Sequence, residues 1–193
     1  MGQRAGWVEC LIVASCCAGV IGCANRPANP QTAGRPDAPL GTVYAASKAA
    51  QLGRLETELR GRLVSTDAVL VGGNPGQIRI RVVAQALFLA DTANLAPDAD
   101  EILQPLAALL ANYRGIGLEV DCYTDDLDSS PPAQGLTQQR AEIVAAYLAR
   151  HGDISGRIRA NGEGASAPIA TNSAPEGRRS NRRIELIISA LSS

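Results

Sequence analysis

The chain has 193 residues, 46% of them apolar, and a formal net charge of −1. This length supports a folded domain with a core. The first forty residues contain a signal-like apolar run and a polar, proline-rich stretch, neither of which suits a core, so about one domain of ordinary size remains. One Trp, four Tyr and one Phe, with no basic stripe, exclude a nucleic-acid partner.

An uncharged run from Cys10 to Gly22 stands near the N-terminus. It is too short to span a bilayer but suits the apolar segment of a secretory signal. The run ends in Val20-Ile21-Gly22-Cys23, which resembles the lipobox of bacterial lipoproteins. The resemblance implies a signal peptide over residues 1–22 and acylation of Cys23, for example with palmitate. Ala24 in place of Asp favours delivery to the outer membrane.

The cysteines fit this interpretation. Four of the five lie at or before Cys23, which leaves Cys122 alone in the mature domain and excludes a disulfide framework within one chain. The alternative is that the cysteines of the apolar run are small apolar filler.

Residues 23–40 are expected to be a tether. Four prolines and almost no apolar side chains occur there, and such a composition favours an extended chain. Sixteen residues, 24–39, would reach roughly 50 Å at about 3.1 Å each.

A helix is predicted over residues 41–65, where Leu52, Leu55, Leu59 and Leu63 recur at helical spacing. Four leucines do not sustain enough heptads to indicate a coiled coil. We therefore expect this stripe to pack on the following domain. The alternative is that it binds a protein partner or a second copy of the chain.

Residues 66–193 alternate between strand and helix patterns, which predicts an α+β domain with helices covering one sheet. Glycine and proline signals around residues 72–76 indicate a hairpin. The predicted order is a hairpin over 67–88, a helix over 97–114 that Pro105 kinks or shortens, a strand over 118–124, a helix over 136–152, a strand over 157–164, a polar loop, and a last strand over 182–191.

Catalytic and metal sites find little support in the sequence. The only histidine is His151, at a predicted helix end without a nearby nucleophile. Asp121, Asp125, Asp126 and Asp128 are dense, but they lack the glycine and terminal glutamate of a calcium loop. We therefore expect no enzymatic activity, no metal and no cofactor.

Two opposite charges remain at the ends of predicted elements. Asp125 follows a strand, and Arg140 lies fifteen residues later near the start of a helix. Facing one cleft, they could hold a zwitterion, because the acid would bind an ammonium and the arginine a carboxylate. The alternative is an ordinary surface ion pair worth about 0 to 1 kcal/mol.

Several ordered motifs resemble the OmpA-like peptidoglycan-binding domain, and together they extend from about Asp67 to Leu191. They are Thr-Asp at 124–125, LTQQRAEIVAAYL at 136–148, ANGEGASAPIATN at 160–172 and EGRRSNRRIEL at 176–186, with Phe88 closing a strand. The resemblance implies two helices packed on one mixed β-sheet, here preceded by the N-terminal helix and the tether.

The resemblance also implies a binding site. In that family, an aspartate in a Thr-Asp pair and an arginine in an Arg-Ala pair hold the diaminopimelate of the cell-wall peptide. The matching residues are Thr124, Asp125 and Arg140, and their interval is the usual one. Arg182 belongs to the family's Asn-Arg-Arg motif and is a further candidate.

The chain departs from the family pattern around this site. Cys122 and Asp128 stand where the family usually has glycine, and Ala133 stands where it often has an asparagine that assists binding. Pro131-Pro132 are expected to stiffen the loop. Whether the altered loop over 126–135 admits a ligand is the open question of the sequence.

The sequence thus predicts a lipoprotein of the outer membrane whose domain faces the periplasm. Its partners would be the membrane, through the lipid, and the diaminopimelate-containing stem peptide of peptidoglycan, so that it links membrane to wall. The alternative is a domain of the same fold that does not bind the wall and serves as an interaction module in an envelope or secretion complex, docking through the Leu52–Leu63 helix.

Overall fold

The computed structural model describes residues 40–63, 67–72, 74, 76–126 and 131–191. The predicted signal peptide, Cys23 and the tether up to residue 39 lie outside them. No described helix is long and apolar enough to cross a membrane. The elements are α1 (Leu40–Arg62), β1 (Ala68–Val71), β2 (Gln77–Val83), α2 (Ala84–Leu87), α3 (Ala99–Leu110), β3 (Ile116–Tyr123), α4 (Pro131–His151), β4 (Ile158–Gly164), α5 (Pro175–Asn181) and β5 (Arg183–Ala190).

The strands form one sheet in the order β1-β2-β5-β3-β4. The pair β3–β4 is parallel, and the other three pairs are antiparallel. The predicted mixed sheet and the predicted β1–β2 hairpin are therefore confirmed. The last strand of the sequence takes the central position, between β2 and β3.

One face of the sheet carries the apolar core. Alternate residues of the three inner strands point to it, and they join the buried side chains of α1, α3 and α4 in a single cluster. The four leucines of the predicted stripe, three on α1 and Leu63 directly after it, are all buried in this cluster. The stripe thus packs on its own domain, as expected. The family resemblance implied two helices on the sheet, and in the structure α1 joins α3 and α4 as a third long helix that covers it.

The opposite face holds a group of charges that we call the central charged network, made of Arg79, Arg81, Arg183 and Glu185. Glu185 is buried on β5 and receives hydrogen bonds from all three arginines, at 2.5 to 3.1 Å. The guanidinium of Arg183 also lies 3.8 Å from the centre of the Tyr123 ring. The buried carboxylate of Glu185 is thus compensated by the arginines around it at the middle of the sheet.

Three boundaries differ from the prediction. α4 begins at Pro131 and not at residue 136, and α5 occupies part of the predicted polar loop. Proline is suited to a first helical turn because its fixed φ fits the helix and its missing N–H needs no partner there. α2 interrupts the predicted second strand, and Pro105 lies inside α3 without ending it.

The two ends of the sheet have different contents. At one end, the Lys48 Nζ on α1 donates to the Leu191 carbonyl oxygen at 2.5 Å, just beyond the end of β5. At the other end, β3 leads to Asp125, and β2 leads through α2 to Phe88. β3 spans eight residues between these ends, or roughly 25 Å at about 3.3 Å per residue.

Candidate functional site

Asp125 lies just beyond the end of β3, where the chain is held by its neighbour β4. The Thr124 N–H donates to the Gly164 carbonyl oxygen at 2.8 Å, and the β3–β4 register shifts at Cys122/Tyr123. Such an irregularity re-aims the residues that follow it. Asp125 ends up 4% exposed, with its Oδ2 bonded to Nη1 of Arg182.

Arg140 is positioned by close packing of α4 on β4. A Cβ at Gly162 would lie 2.4 Å from the backbone nitrogen of Gln138, so only glycine allows this approach. The Gly162 N–H donates to Oε1 of Gln138 at 2.7 Å, and the Gly164 N–H donates to Oγ1 of Thr137 at 3.3 Å. The glycines of the ANGEG motif therefore place the first turns of α4, and with them Arg140.

The side chain of Arg140 is 7% exposed but is only partly used within the protein. Its Nε donates to the Thr92 carbonyl oxygen at 2.7 Å, and its guanidinium carbon lies 5.2 Å from the centre of the Phe88 ring. Among the described residues, no hydrogen-bond partner of Nη1 or Nη2 is found, and no buried side-chain nitrogen or oxygen lacks a partner. These two nitrogens therefore face open space.

That space is a cleft of about 150 Å³ lined by Ala84, Gln85, Phe88, Leu89, Ala90, Asp91, Arg140 and Arg182. Pockets for drug-sized molecules are about 300 Å³ or more, so this cleft suits one charged end group. Burial lowers the pKa of Arg140, and the charge of Asp91 opposes that effect. An arginine pKa lies far above neutrality, so Arg140 stays a cation that can receive a carboxylate.

The cleft wall between Leu89 and Asn94 was not recognised from the sequence. Here the Leu89 N–H donates to the Asn94 carbonyl oxygen at 3.0 Å, and Asp91 takes a left-handed φ of 55°. This tight turn aims the Thr92 carbonyl at Arg140. The short residues Asp91 to Asn94, shortly after Phe88, were the available signal, but they do not indicate which carbonyl faces inward.

The other predicted site residues have distinct positions. Asp125 and Arg140 are both buried and are not paired with each other, which excludes the surface ion pair between them. Arg182 is the residue that joins the two, because it binds Asp125 and lines the cleft beside Arg140. Thr124 is half-buried and is not among the cleft-lining residues.

The neighbouring motif residues have structural contacts. Asn181 is fully buried, and its side chain bonds the backbone of Ile169 and Ala170 at 2.8 to 3.0 Å. Cys122 is buried in place of the usual glycine, and burial raises the pKa of its thiol to about 12. Asp128 lies outside the described residues.

Within the part of the chain that the structure describes, no three His, Cys, Asp or Glu side chains come together as a metal site. At the candidate site, the carboxylate of Asp125 is paired with Arg182 instead.

Comparisons with known proteins agree with this architecture. The model of the OmpA family matches residues 87–182, a span that contains Phe88, Asp125, Arg140 and Arg182. Probable lipoprotein YiaD of Escherichia coli is 34% identical over 136 residues, or 70% of this chain and 62% of YiaD.

Two further proteins are similar over the domain. Peptidoglycan-binding protein ArfA of Mycobacterium tuberculosis is 39% identical over 101 residues, which are 52% of this chain and 31% of ArfA. The solved structure of the cell wall anchor of the T6SS from Pseudomonas aeruginosa superimposes with a TM-score of 0.63 at 25% identity, covering 71% of this chain and 97% of that one.

The chain thus spans less than two thirds of either curated relative. The names of the three proteins describe a lipoprotein, a peptidoglycan-binding protein and a wall anchor, and none of them names a catalytic activity. The matched segment extends from the end of α2 to the end of α5 and contains six of the eight residues that line the cleft. On these grounds, the chain belongs to the OmpA family through the domain that carries this cleft.

Proposed function

We propose that the protein is an outer-membrane lipoprotein whose domain binds peptidoglycan noncovalently and thereby links the membrane to the wall. Its ligand is the diaminopimelate side chain of the stem peptide, which carries a free ammonium and a free carboxylate. Cys23 carries the lipid, and the domain faces the periplasm. No catalytic step is part of this proposal.

The observation that carries the proposal is the buried guanidinium of Arg140, whose two Nη atoms face the cleft. A planar guanidinium grips a carboxylate with two parallel hydrogen bonds. Asp125 is not among the cleft-lining residues, but it supplies a buried carboxylate behind Arg182 that the ammonium of the same ligand would bind. Two cationic groups, Arg140 and Arg182, and the carboxylates of Asp125 and Asp91 are therefore available to a zwitterionic end group.

The relatives support the ligand and the anchor separately. ArfA is named for peptidoglycan binding, and the solved Pseudomonas structure is named as a cell wall anchor. YiaD is named as a probable lipoprotein. The lipobox resemblance around Cys23 supports the anchor in this chain.

The test is a pull-down of the full chain, purified in detergent, with insoluble peptidoglycan of the diaminopimelate type. We expect wild type to bind and free diaminopimelate to compete. Asp125→Ala and Arg140→Ala should each weaken binding by about 10- to 100-fold, because each removes charge-assisted hydrogen bonds. Arg140 has the larger effect, since it meets the ligand carboxylate directly.

Arg114→Ala is the matched control. It removes an exposed arginine next to β3 at the end of the sheet opposite the cleft, so its binding should equal that of wild type. Thermal unfolding of all variants checks that they are folded. Wild-type retention of peptidoglycan by both cleft variants would show that the site assignment is wrong.

The alternative function, an interaction module that docks through the Leu52–Leu63 stripe, receives no support from the packing of α1. The four leucines are buried against the sheet and α3. A partner could reach them only after α1 had left the domain. Wild-type protein that ignores peptidoglycan and co-purifies with a partner through residues 43–64 would nevertheless favour this function.

A further inference from the structure

The carboxylate of Asp125 already holds a cation of the protein itself, the guanidinium of Arg182. The two side chains differ in burial, at 6% exposed for Asp125 and 32% for Arg182. A buried carboxylate needs an opposite charge, because an unpaired charge in this position is strongly unfavourable. A ligand ammonium that reaches Asp125 must therefore take over the place of Arg182.

Arg182 can give up that place without a change in the fold. Its N–H donates to the Arg178 carbonyl oxygen at 3.0 Å, and its own carbonyl oxygen accepts from the Ala84 N–H at 2.9 Å. The backbone is thus held at the end of α5, while the long side chain is partly in solvent. Only the side chain of Arg182 would therefore have to move for its guanidinium to leave Asp125, and Arg182 already lines the cleft.

The cleft is where a released Arg182 would find a new partner. Arg182 lines it together with Arg140, whose Nη1 and Nη2 face the same space. Two guanidinium groups and one carboxylate, that of Asp91, line about 150 Å³. The cleft thus carries a net positive charge that suits a ligand carboxylate, and the two guanidinium groups repel each other until an anion binds between them. The pKa of Arg140 is lowered mainly by burial, and the nearby charge of Arg182 lowers it further.

We propose that Arg182 makes this site selective for a ligand that carries an ammonium and a carboxylate on the same end group. The ammonium replaces Arg182 on Asp125, and the released Arg182 joins Arg140 on the ligand carboxylate. A ligand with the ammonium alone displaces Arg182 and offers it nothing in return. Arg182 is thus a specificity-determining residue, and this role rests on the proposed function.

Two stem peptides test this exchange because they differ by one carboxylate. They are L-Ala–γ-D-Glu–X–D-Ala with X as meso-diaminopimelate or as L-lysine. Both present the side-chain ammonium, and only the first presents a carboxylate next to it. Calorimetric titration of the full chain in detergent gives the affinity for each peptide and hence their ratio.

We expect wild type to prefer the diaminopimelate peptide by at least about tenfold, the factor that corresponds to one charge-assisted hydrogen bond. Arg182→Gln keeps a hydrogen-bond donor for Asp125 and removes the positive charge. In this variant the lysine peptide should bind more tightly than to wild type, and the diaminopimelate peptide more weakly. Their ratio should fall at least about fivefold.

The controls separate this inference from the proposed function. Arg114→Gln should keep both the ratio and the affinities of wild type, and thermal unfolding should show that Arg182→Gln is folded. An unchanged ratio in Arg182→Gln, or an equal loss of both peptides, would overturn the role of Arg182 while leaving wall binding in place. Failure of wild type to bind either peptide would overturn both.

Discussion

Two regions of the domain bring arginines and carboxylates together, and they use the guanidinium groups differently. In the central charged network, every nitrogen of Arg183 is bonded inside the protein. Its Nε donates to Glu185, its Nη1 to the Asn181 carbonyl oxygen and its Nη2 to the Ala167 carbonyl oxygen. In the cleft, Arg140 is almost as deeply buried but donates within the described residues through Nε alone.

This difference separates a structural arginine, Arg183, from the arginine that we propose binds the ligand, Arg140. Both side chains lose hydration when they are buried. In Arg183 internal hydrogen bonds at all three nitrogens replace the lost water, and in Arg140 only the bond at Nε does so. Arg140 keeps Nη1 and Nη2 directed into the cleft, without a hydrogen-bond partner among the described residues. A ligand carboxylate would provide that partner, whereas each nitrogen of Arg183 already has one inside the protein.

The sharpest test of this comparison exchanges each arginine for methionine and measures the free energy of unfolding with urea. Arg183→Met should cost about 3 to 5 kcal/mol, because it leaves Glu185 buried with fewer positive partners. Arg140→Met should cost about 1 kcal/mol, since only one hydrogen bond to a carbonyl is lost. An equal loss of unfolding free energy in the two variants would show that both arginines stabilise the fold to the same extent, and it would contradict this comparison.

A smaller effect is expected where α4 touches β4. Gly162→Ala places a methyl group against the backbone of Gln138, so it should cost about 1 to 3 kcal/mol by overpacking. The shift of α4 moves Arg140, and the affinity for peptidoglycan should fall as well. Urea unfolding and the pull-down measure the two effects.

The control for that variant is Gly53→Ala, in the exposed middle of α1, where a Cβ would have no neighbour within 4 Å. It should raise stability by up to about 1 kcal/mol, as expected for glycine in a helix, and leave binding unchanged. Wild-type affinity in folded Gly162→Ala would mean that the contact of α4 with β4 does not set the position of Arg140.

The smallest effects concern pH. Burial alone would raise the pKa of Glu185, but the hydrogen bonds and charges of Arg183, Arg79 and Arg81 hold it below its usual range. Its contribution to stability is therefore full above the ordinary glutamate pKa and is lost as the pH falls through the lowered value. Asp121 is the opposite case, since burial raises its pKa and its proton favours the folded chain in mild acid.

Unfolding free energies between about pH 3 and pH 7 check these signs. Glu185→Gln should make the loss of stability in acid shallower than in wild type, because the titrating carboxylate is gone. Asp121→Asn should make it steeper, because the opposing contribution is gone. Curves parallel to wild type in both variants would contradict the assigned pKa directions.

The sequence allowed much of the fold to be predicted, because its signals were local or shared with a family. The alternation in β2 and β5 and the leucine spacing in α1 each depend on residues close in the chain. Two of the wrong boundaries concern proline: Pro131 and Pro175 were interpreted as loop residues, and both begin helices. A proline is compatible with a loop and with a first helical turn, so the residue alone does not distinguish them.

The site was predicted less completely. Asp125 and Arg140 were identified from the family motifs, but their actual partners, Arg182 and Thr92, are 57 and 48 residues away in the chain. No local pattern encodes such pairings. The role of Arg182 as a counter-ion could be recognised only once β5 was known to lie beside β3.

The contact between Lys48 and Leu191 gives the domain a front and a back. Lys48 on α1 and the end of β5 lie together at the back, and the cleft opens at the front. A fusion, a tag or a solid support attached after residue 191 would therefore leave the cleft unobstructed.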